Sequence, residues 1–437
     1  MNDSFVRSPS RRAFIKAAGG LGVAAAAGWA APAFARPVDV VVVTSYPDEV
    51  VSRFEAAFEK ANPGYRLRIV WHMPHDALPT LRQPGPDGVD VYWTPSPYNF
   101  AVLKREGLLR KLDVDRSGLP GRVGNTLIDD PDGYYVATET AGYGFAVNPG
   151  YLEAHGLPAP ADWADLADPR YAGHIALPNP GKVGFAPVMA DIALQAYGWE
   201  KAWAVWSAAV ANSTLVERGG TFVTDELASG RRGIGASIDF FVASAIAKGA
   251  PLRFIYPKNG GVNPAQVAIM AGAKNVDGAR AFVSFLLSDA GQRLVTHPDI
   301  RKLPIRPSVY ASLDAGYHNP FAAAAAGSYG YDGIRTEGRL PLIAALFDIA
   351  LARRRDVLAV LWPKARAATG ARGEEAQRLL AAVPINENEA GWAETQRIFS
   401  ARRDDPNAER VAAEVERRWA AETDARLAKV ALLQEAA

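Results

Sequence analysis

The residues able to do chemistry in this 437-residue chain are spread thinly, and none stands in the spacing of a familiar catalytic machine. There is no Gly-x-Ser-x-Gly elbow and no His-Glu-x-x-His pair, and Gly181-Lys182 lacks both the upstream glycine and the following Ser or Thr of a phosphate-binding P-loop. His72-Met73-Pro74-His75-Asp76 has metal-like spacing. The proline between the histidines opposes the helix that would align them and no third histidine is near, so a solvated loop is the better reading. The enzyme this leaves is a secreted, metal-assisted hydrolase using Asp239, Glu139, His72 and His75, for which no paired acid and base can be read from the spacing. Three other segments have a different character: Thr44-Ser45-Tyr46, Pro180-Gly181-Lys182-Val183-Gly184-Phe185 and Arg218-Gly219-Gly220-Thr221. Each offers hydroxyls, a cation, or glycines that let a backbone approach closely. Taken singly, each reads most simply as a helix cap or turn.

The elements that carry these segments alternate. Val38-Asp39-Val40-Val41-Val42-Val43 is a β-branched run that reads as a buried strand, followed by a helix from Val50 to Ala61 with Val50, Phe54 and Phe58 at helical spacing and a second strand at Arg66 to Trp71. Asp90-Val91-Tyr92-Trp93 and a helix from Tyr98 continue the pattern. Beyond Tyr134, extended pieces are expected at Tyr135 to Thr138, Gly144 to Val147, Ile175 to Pro178, Ile234 to Ile238, Leu252 to Tyr256 and Ala265 to Met270. Helices fall between them at Phe185 to Tyr197, Glu200 to Ala211, at Asp225, at Val276 to Ser288 and at Ala290 to Thr296. Strands alternating with helices predict an α/β fold with a largely parallel sheet. Trp199, Trp203 and Trp206, at spacings of four and three, read as one core-facing helix stripe. From about Ser312 the pattern turns helical, with amphipathic stretches at Leu340 to Leu351, Asp356 to Ala368 and Arg410 to Glu435.

Composition narrows the partners. With no cysteine, the chain has no disulfide, thiolate metal site, iron–sulfur cluster or cysteine nucleophile. The net charge is +1, and the first 35 residues carry Arg7, Arg11, Arg12 and Lys16 against Asp3, leaving the remainder slightly acidic. Such a balance opposes a nucleic-acid footprint and a polybasic membrane patch. Ser10-Arg11-Arg12-Ala13-Phe14-Ile15-Lys16, the Ala/Gly-rich run to Ala31 and Ala33-Phe34-Ala35 form the three parts of a twin-arginine export signal, cleaved near Ala35. The expected location is the periplasm, with the twin-arginine translocase as a partner during export.

Tyr143-Gly144-Phe145-Ala146-Val147-Asn148, Pro160-Ala161-Asp162-Trp163-Ala164-Asp165-Leu166 and Gly261-Val262-Asn263-Pro264-Ala265-Gln266-Val267-Ala268-Ile269 resemble landmarks of bacterial extracellular solute-binding proteins. Ala273-Lys274-Asn275, Ala279-Arg280-Ala281-Phe282, Phe285-Leu286-Leu287-Ser288 and Gly291-Gln292 follow in the same order. Within that superfamily the chain is similar to the iron, thiamine and phosphoglycerate group that feeds ABC importers. The resemblance implies a two-lobed type II periplasmic-binding-protein fold closing over a solute in a central cleft. Lobe 1 would comprise residues 36–145 and 262–310, lobe 2 residues 146–261, and the helical extension residues 311–437, expected to pack across both lobes. The implied partners are a small-molecule ligand and an inner-membrane ABC permease, with no cofactor, no nucleic acid and no turnover. Hinges would lie near Glu139 to Val147 and Tyr256 to Pro264.

In such a cleft the three loops become candidates together, because helix N-termini at strand ends favour anions. The ligand-binding set implied is Ser45, Tyr46, Trp93, Glu139, Tyr143, Lys182, Gly184, Arg218, Gly220, Thr221, Ser237, Asp239 and Asn263. Ferric members of the group bind metal through adjacent tyrosines, and the corresponding residues here are Phe240-Phe241, which cannot ligate. Lys182 and Arg218 favour a small organic anion: a phosphate ester, a phosphonate or a carboxylate. A thiamine-like cation would instead need aromatic walls such as Tyr46, Trp93 and Phe240 with Asp239 or Glu139. A sensory role, presenting the ligand-bound form to a membrane kinase, is a second possibility.

Overall fold

The computed structural model describes residues 36–83, 88–333, 335, 338–388 and 391–435. The export signal lies outside the described residues. Among the described residues twelve strands run β1 Val38–Thr44, β2 Tyr65–Trp71, β3 Val91–Thr94, β4 Arg122–Val123, β5 Thr126–Leu127, β6 Val136–Val147, β7 Ile175–Pro178, β8 Ser213–Val216, β9 Ile234–Ile238, β10 Arg253–Ile255, β11 Val262–Ile269 and β12 Leu303–Pro304. Ten of them form one sheet, ordered β2-β1-β3-β11-β6-β9-β7-β8, with β10 and β12 also paired to β6. The β1–β2, β1–β3, β7–β8 and β7–β9 pairs are parallel, as βαβ connections require, but β11 and β6 run antiparallel to their neighbours at the centre, so the sheet is mixed rather than largely parallel.

β6 joins the two halves of the sheet. Its residues 136–142 pair with β11, and residues 143–147 pair with β9. Sequence patterning expects two short extended pieces here. The structure instead has one continuous strand, because the polar and glycine residues from Glu139 to Gly144 are covered on both sides and every residue of the strand is buried. Two aromatic-rich cores flank this crossing. One gathers Val40, Phe54, Phe58, Trp93, Val267 and Phe282 around β1, β3 and β11; the other gathers Phe145, Trp163, Ile175, Trp203 and Trp206 around β7 and β9.

The helices are α1 Asp48–Ala61, α2 Pro74–Leu81, α3 Pro97–Arg105, α4 Pro149–Ala154, α5 Ala186–Tyr197, α6 Trp199–Asn212, α7 Gly220–Ala228, α8 Asp239–Ala247, α9 Val276–Leu287, α10 Asp289–Val295 and α11 Pro320–Ala325, then α12 Leu340–Ala350, α13 Arg355–Ala367, α14 Gly370–Ala381, α15 Trp392–Ala401 and α16 Pro406–Glu435. Two expectations need correction. α7 begins at Gly220 rather than at Asp225, so Arg218 and Gly219 sit directly at a helix N-terminus. α2 occupies Pro74–Leu81 where a loop was expected: a proline in the first turn has no N–H that the helix would need.

The helical extension reaches both halves of the sheet: Phe321, Ala323 and Ala324 of α11 lie against the first core, in which Tyr329 is buried, and the later helices dock on the second half. α12 packs on α5, and α13 and α14 pack on α6. Phe347 lies 5.8 Å from Trp206, and Trp392 lies 5.1 Å from Trp199, edge to face. The tryptophan stripe of α6 is therefore core, with the extension as its cover. Buried Arg339 pairs with buried Asp191 at 2.9 Å, and Trp362 Nε1 donates to Ser207 Oγ at 3.0 Å. Toward the first half, the turn after α15 reaches by charge: Arg82 is raised chiefly by Glu106, with Asp404 adding to it.

Candidate ligand-binding site

The crossing strand places Glu139 between two residues that lie far away in sequence. Tyr46, just beyond β1, donates its hydroxyl hydrogen to Glu139 Oε1. Lys302, immediately before β12, donates to Tyr46 Oη at 3.0 Å and to Glu139 Oε1 at 3.2 Å. Thr138 donates to the other Glu139 oxygen, and Trp93 Nε1 donates to Thr138 Oγ1 at 2.9 Å. Trp93 also stacks at a tilt on Tyr46, 4.6 Å between centroids. All five side chains are buried. Burial pushes the Lys302 ammonium down, opposed by Glu139, and burial together with Glu139 pushes the Tyr46 phenol well up. This wall is a closed, charge-neutral network with one cation.

Asp239 opens α8 from the other half. Its Oδ2 accepts the Gly142 N–H at 2.7 Å and the Tyr256 hydroxyl at 2.9 Å, while its buried Oδ1 meets no partner among the described residues. Burial raises Asp239 from its ordinary 3.8 to about 7, against the hydrogen bonds and Lys302, which lower it. Gly142 is required at this point: a Cβ there would stand 2.5 Å from Tyr256 Cε1. Tyr256 stacks on His318 at 3.5 Å, and His318 shares a 2.6 Å hydrogen bond with Tyr329. Burial drives His318 down to about 4. Tyr143, buried on the crossing strand, is pushed up by burial and then by Asp239.

The glycine-rich loops meet at Phe241. Phe185, after Lys182 and Gly184, lies 5.7 Å from Phe241, and a Cβ on Gly220 would stand 2.5 Å from its ring. Phe240 is 4.2 Å from Phe241, and Lys302 Nζ lies 5.2 Å above the Phe240 ring, so the two halves touch across this aromatic pair. Lys182, Gly184, Arg218 and Thr221 are exposed, with the Arg218 guanidinium over Phe222 at 5.1 Å.

Of the residues expected from sequence, Tyr46, Trp93, Glu139, Tyr143 and Asp239 gather at the crossing. Ser237 is buried beside them in the chain with its hydroxyl unpartnered, and Ser45 hydrogen-bonds Thr94 at the end of β3. Asn263 is half-buried on β11 opposite Ala141. Gly220 lies against Phe241, while Lys182 and Gly184, in the loop that leads to Phe185, and Arg218 and Thr221, on either side of Gly219-Gly220, are exposed apart from that cluster. Lys302, Tyr256 and His318 were missed. Arg301-Lys302-Leu303-Pro304 has no motif, and only the pairing of β12 with β6 brings its lysine to Glu139.

Two α/β half-sheets joined by a continuous crossing strand, with buried polar groups at the crossing, define a two-lobed binding protein of type II. The chain belongs to the bacterial extracellular solute-binding protein family, whose model matches residues 96–325. It is 30% identical over 221 residues to the phosphoglycerate transport regulatory protein PgtC of Salmonella typhimurium, covering 51% of this chain and 54% of that one. An uncharacterized protein of Haemophilus influenzae is 32% identical over 165 residues, covering 37% and 48%. The chain thus spans about half the length of these curated relatives. Among solved structures, iron-bound HitA from Pseudomonas aeruginosa shares the fold with a TM-score of 0.53 at 16% identity, covering 66% of this chain and 92% of HitA. Fructose-6-phosphate-bound AfuA from Actinobacillus pleuropneumoniae does so with a TM-score of 0.53 at 20% identity, covering 69% and 96%.

Proposed function

We propose that this protein is the substrate-binding component of an ABC importer, capturing a small anionic solute in the periplasm and delivering it to an inner-membrane permease. One observation carries the anionic class: Lys182 and Arg218 are exposed cations in the loops that lead into α5 and α7, and those loops bring Phe185 and Gly220 against the same Phe241 that the cleft lysine Lys302 approaches through Phe240. Helix N-termini with adjacent cations suit a phosphate ester, a phosphonate or a carboxylate. The free oxygen of Asp239 would accept a hydroxyl of the same ligand. The name of the Salmonella relative and the sugar phosphate bound to AfuA support a phosphorylated class. Phe240 and Phe241 in place of paired tyrosines speak against ferric ion.

In this reading lobe 1 comprises residues 36–145 and 262–310, lobe 2 residues 146–261, and closure bends Glu139 to Val147 and Tyr256 to Pro264. Family and fold are those of substrate-binding proteins, and the proposed role involves no turnover. Export by the twin-arginine translocase would put the folded protein in the periplasm. The word regulatory in the Salmonella relative's name favours a second reading, a sensor for a membrane kinase. Thermal-shift and calorimetric titration of refolded mature protein against phosphate esters, phosphonates, dicarboxylates, thiamine and ferric citrate test the ligand class. A ligand at a thousand times its dissociation constant adds about 4 kcal/mol of stability. A shift with ferric citrate or thiamine alone would overturn the anionic reading.

A further inference from the structure

The loop at residues 179–184 owes its shape to a residue 169 positions away. Asn179, buried at the end of β7, is the hub. Its N–H donates to Val216 O at 2.9 Å, tying β7 to the end of β8, and its carbonyl accepts the N–H groups of Lys182 at 2.9 Å and Val183 at 2.8 Å. Its side-chain Oδ1 accepts the Gly181 N–H at 2.9 Å. An amide has one accepting and one donating end, so this closure works only if the NH2 points the other way. There Asn179 Nδ2 donates to Asp348 Oδ1 at 3.2 Å. Asp348 lies on α12 of the helical extension and is itself held by Arg353, whose Nε and Nη2 donate to Oδ2 at 2.8 and 2.7 Å. Gly181 completes the fit, since a Cβ there would stand 2.7 Å from Asp348 Cβ.

We infer that Asp348 of the C-terminal extension is a positioning residue for the ligand loop: by accepting from Asn179 it fixes that amide's orientation, and so sets where Lys182 and Gly184 face the ligand. This rests on the reading above that the loop meets the ligand. The extension is then part of the binding machinery, shaping the cleft rim from behind as well as covering lobe 2. A carboxylate does this better than an amide, which in its place would have to offer oxygen to Asn179 and NH2 to the Arg353 donors.

Two isosteric substitutions test the inference. Asn179→Asp sets two carboxylates against each other, and Asp348→Asn sets an amide against an amide and a guanidinium. Each alone should speed hydrogen exchange of the Gly181, Lys182 and Val183 amides about tenfold, the scale of one lost charge-assisted hydrogen bond. The Asn179→Asp/Asp348→Asn double variant restores a donor facing an acceptor and should return exchange toward wild type. General loosening by either change would instead add in the double variant. Unchanged exchange in the single variants, or additive exchange in the double, overturns the inference. This arm needs no ligand. In a second arm, the dissociation constant for 3-phosphoglycerate should follow the same cycle and weaken in Lys182→Ala. If exchange follows the cycle while 3-phosphoglycerate binding ignores both the cycle and Lys182→Ala, the ligand-loop reading fails and Asp348 still shapes the loop. If Lys182→Ala weakens binding while exchange ignores the cycle, the loop reading stands and Asp348 is merely structural.

Discussion

The two walls of the candidate cleft solve the same problem in opposite ways. On the side of β1, β6 and β12, Tyr46, Glu139 and Lys302 are buried and satisfy one another, so their charges are already committed to each other. On the lobe 2 side, Lys182 and Arg218 are exposed at glycine-rich helix starts and spend no desolvation energy until a ligand covers them. The contrast extends to what holds each wall up. The first rests on β1, β6 and β12 within one sheet; the second leans on a separate run of helices through Asn179, Asp348 and the α6 tryptophans. In the proposed reading the buried pair would give the cleft fixed geometry and the exposed cations its affinity.

The largest expected effect breaks the second wall at its support. Ending the chain after Gly330 removes Phe347, Trp362 and Trp392 from the core around α6, along with the partner of buried Asp191. Losing one large buried aromatic costs about 3–5 kcal/mol, and a whole domain holds about 5–15 kcal/mol. The truncated chain should therefore show no cooperative melting of lobe 2, with exchange protection surviving at most in β1, β2 and β3. A truncated chain that melts like the full one and binds the same ligand would erase the asymmetry between the walls.

Lys302→Ala tests the first wall. It leaves Glu139 buried without its cation, at a cost of about 3–5 kcal/mol. Lys302→Met combined with Glu139→Gln removes both charges and should regain most of that loss. Denaturant midpoints measure both, and equal destabilisation in the single and double variants would mean that the pair does not act as a pair.

Between the walls, Asp239 should give folding stability a pH signature. Its folded pKa is raised, so its contribution to stability is complete below its ordinary 3.8 and is lost as pH rises through about 7. His318, lowered to about 4 by burial, runs the other way: it contributes above its ordinary 6.5 and loses that contribution as pH falls toward 4. The two trends offset each other in wild type over much of that range. Asp239→Asn removes one of them, so the variant's stability relative to wild type should climb from pH 4 to 7 by a few kcal/mol, on the order of the cost of ionising a buried carboxylate, and then level off. A difference that stays flat with pH would show that Asp239 is ionised in the folded protein throughout.

These tests separate what the chain's letters disclose from what they conceal. The β-branched run at Val38–Val43 and the tryptophan spacing of α6 are local patterns, so both elements were legible. The glycine-rich loops were legible for the same reason, since glycine, cation and helix start are neighbours in sequence. Lys302 was not, because its partner Glu139 lies 163 residues away and the lysine sits in no pattern of its own. The single strand from Val136 to Val147 was concealed likewise: Thr138, Glu139, Thr140 and three glycines or alanines look like a break until strands on both sides cover them. The docking of the later helices on α5 and α6 could not be read either, because an amphipathic helix declares that it has a buried face without saying against what.

The smallest effect on stability should accompany the sharpest effect on function. Lys182 and Arg218 are exposed, and neither has an ion-pair partner among the described residues, so replacing either with alanine should move stability by no more than about 0.5 kcal/mol. Each would nonetheless remove a charge-assisted contact to an anionic ligand, worth about 1.5–3 kcal/mol, or roughly a tenfold to a hundredfold weakening. An exposed site is screened by salt, so the wild-type affinity should also fall as ionic strength rises, and less so in either variant. Calorimetric titration of the best ligand at low and high salt measures both quantities together. If the alanine variants keep wild-type affinity and salt dependence, the exposed rim is an ordinary pair of capped helices, and recognition belongs to the buried wall alone.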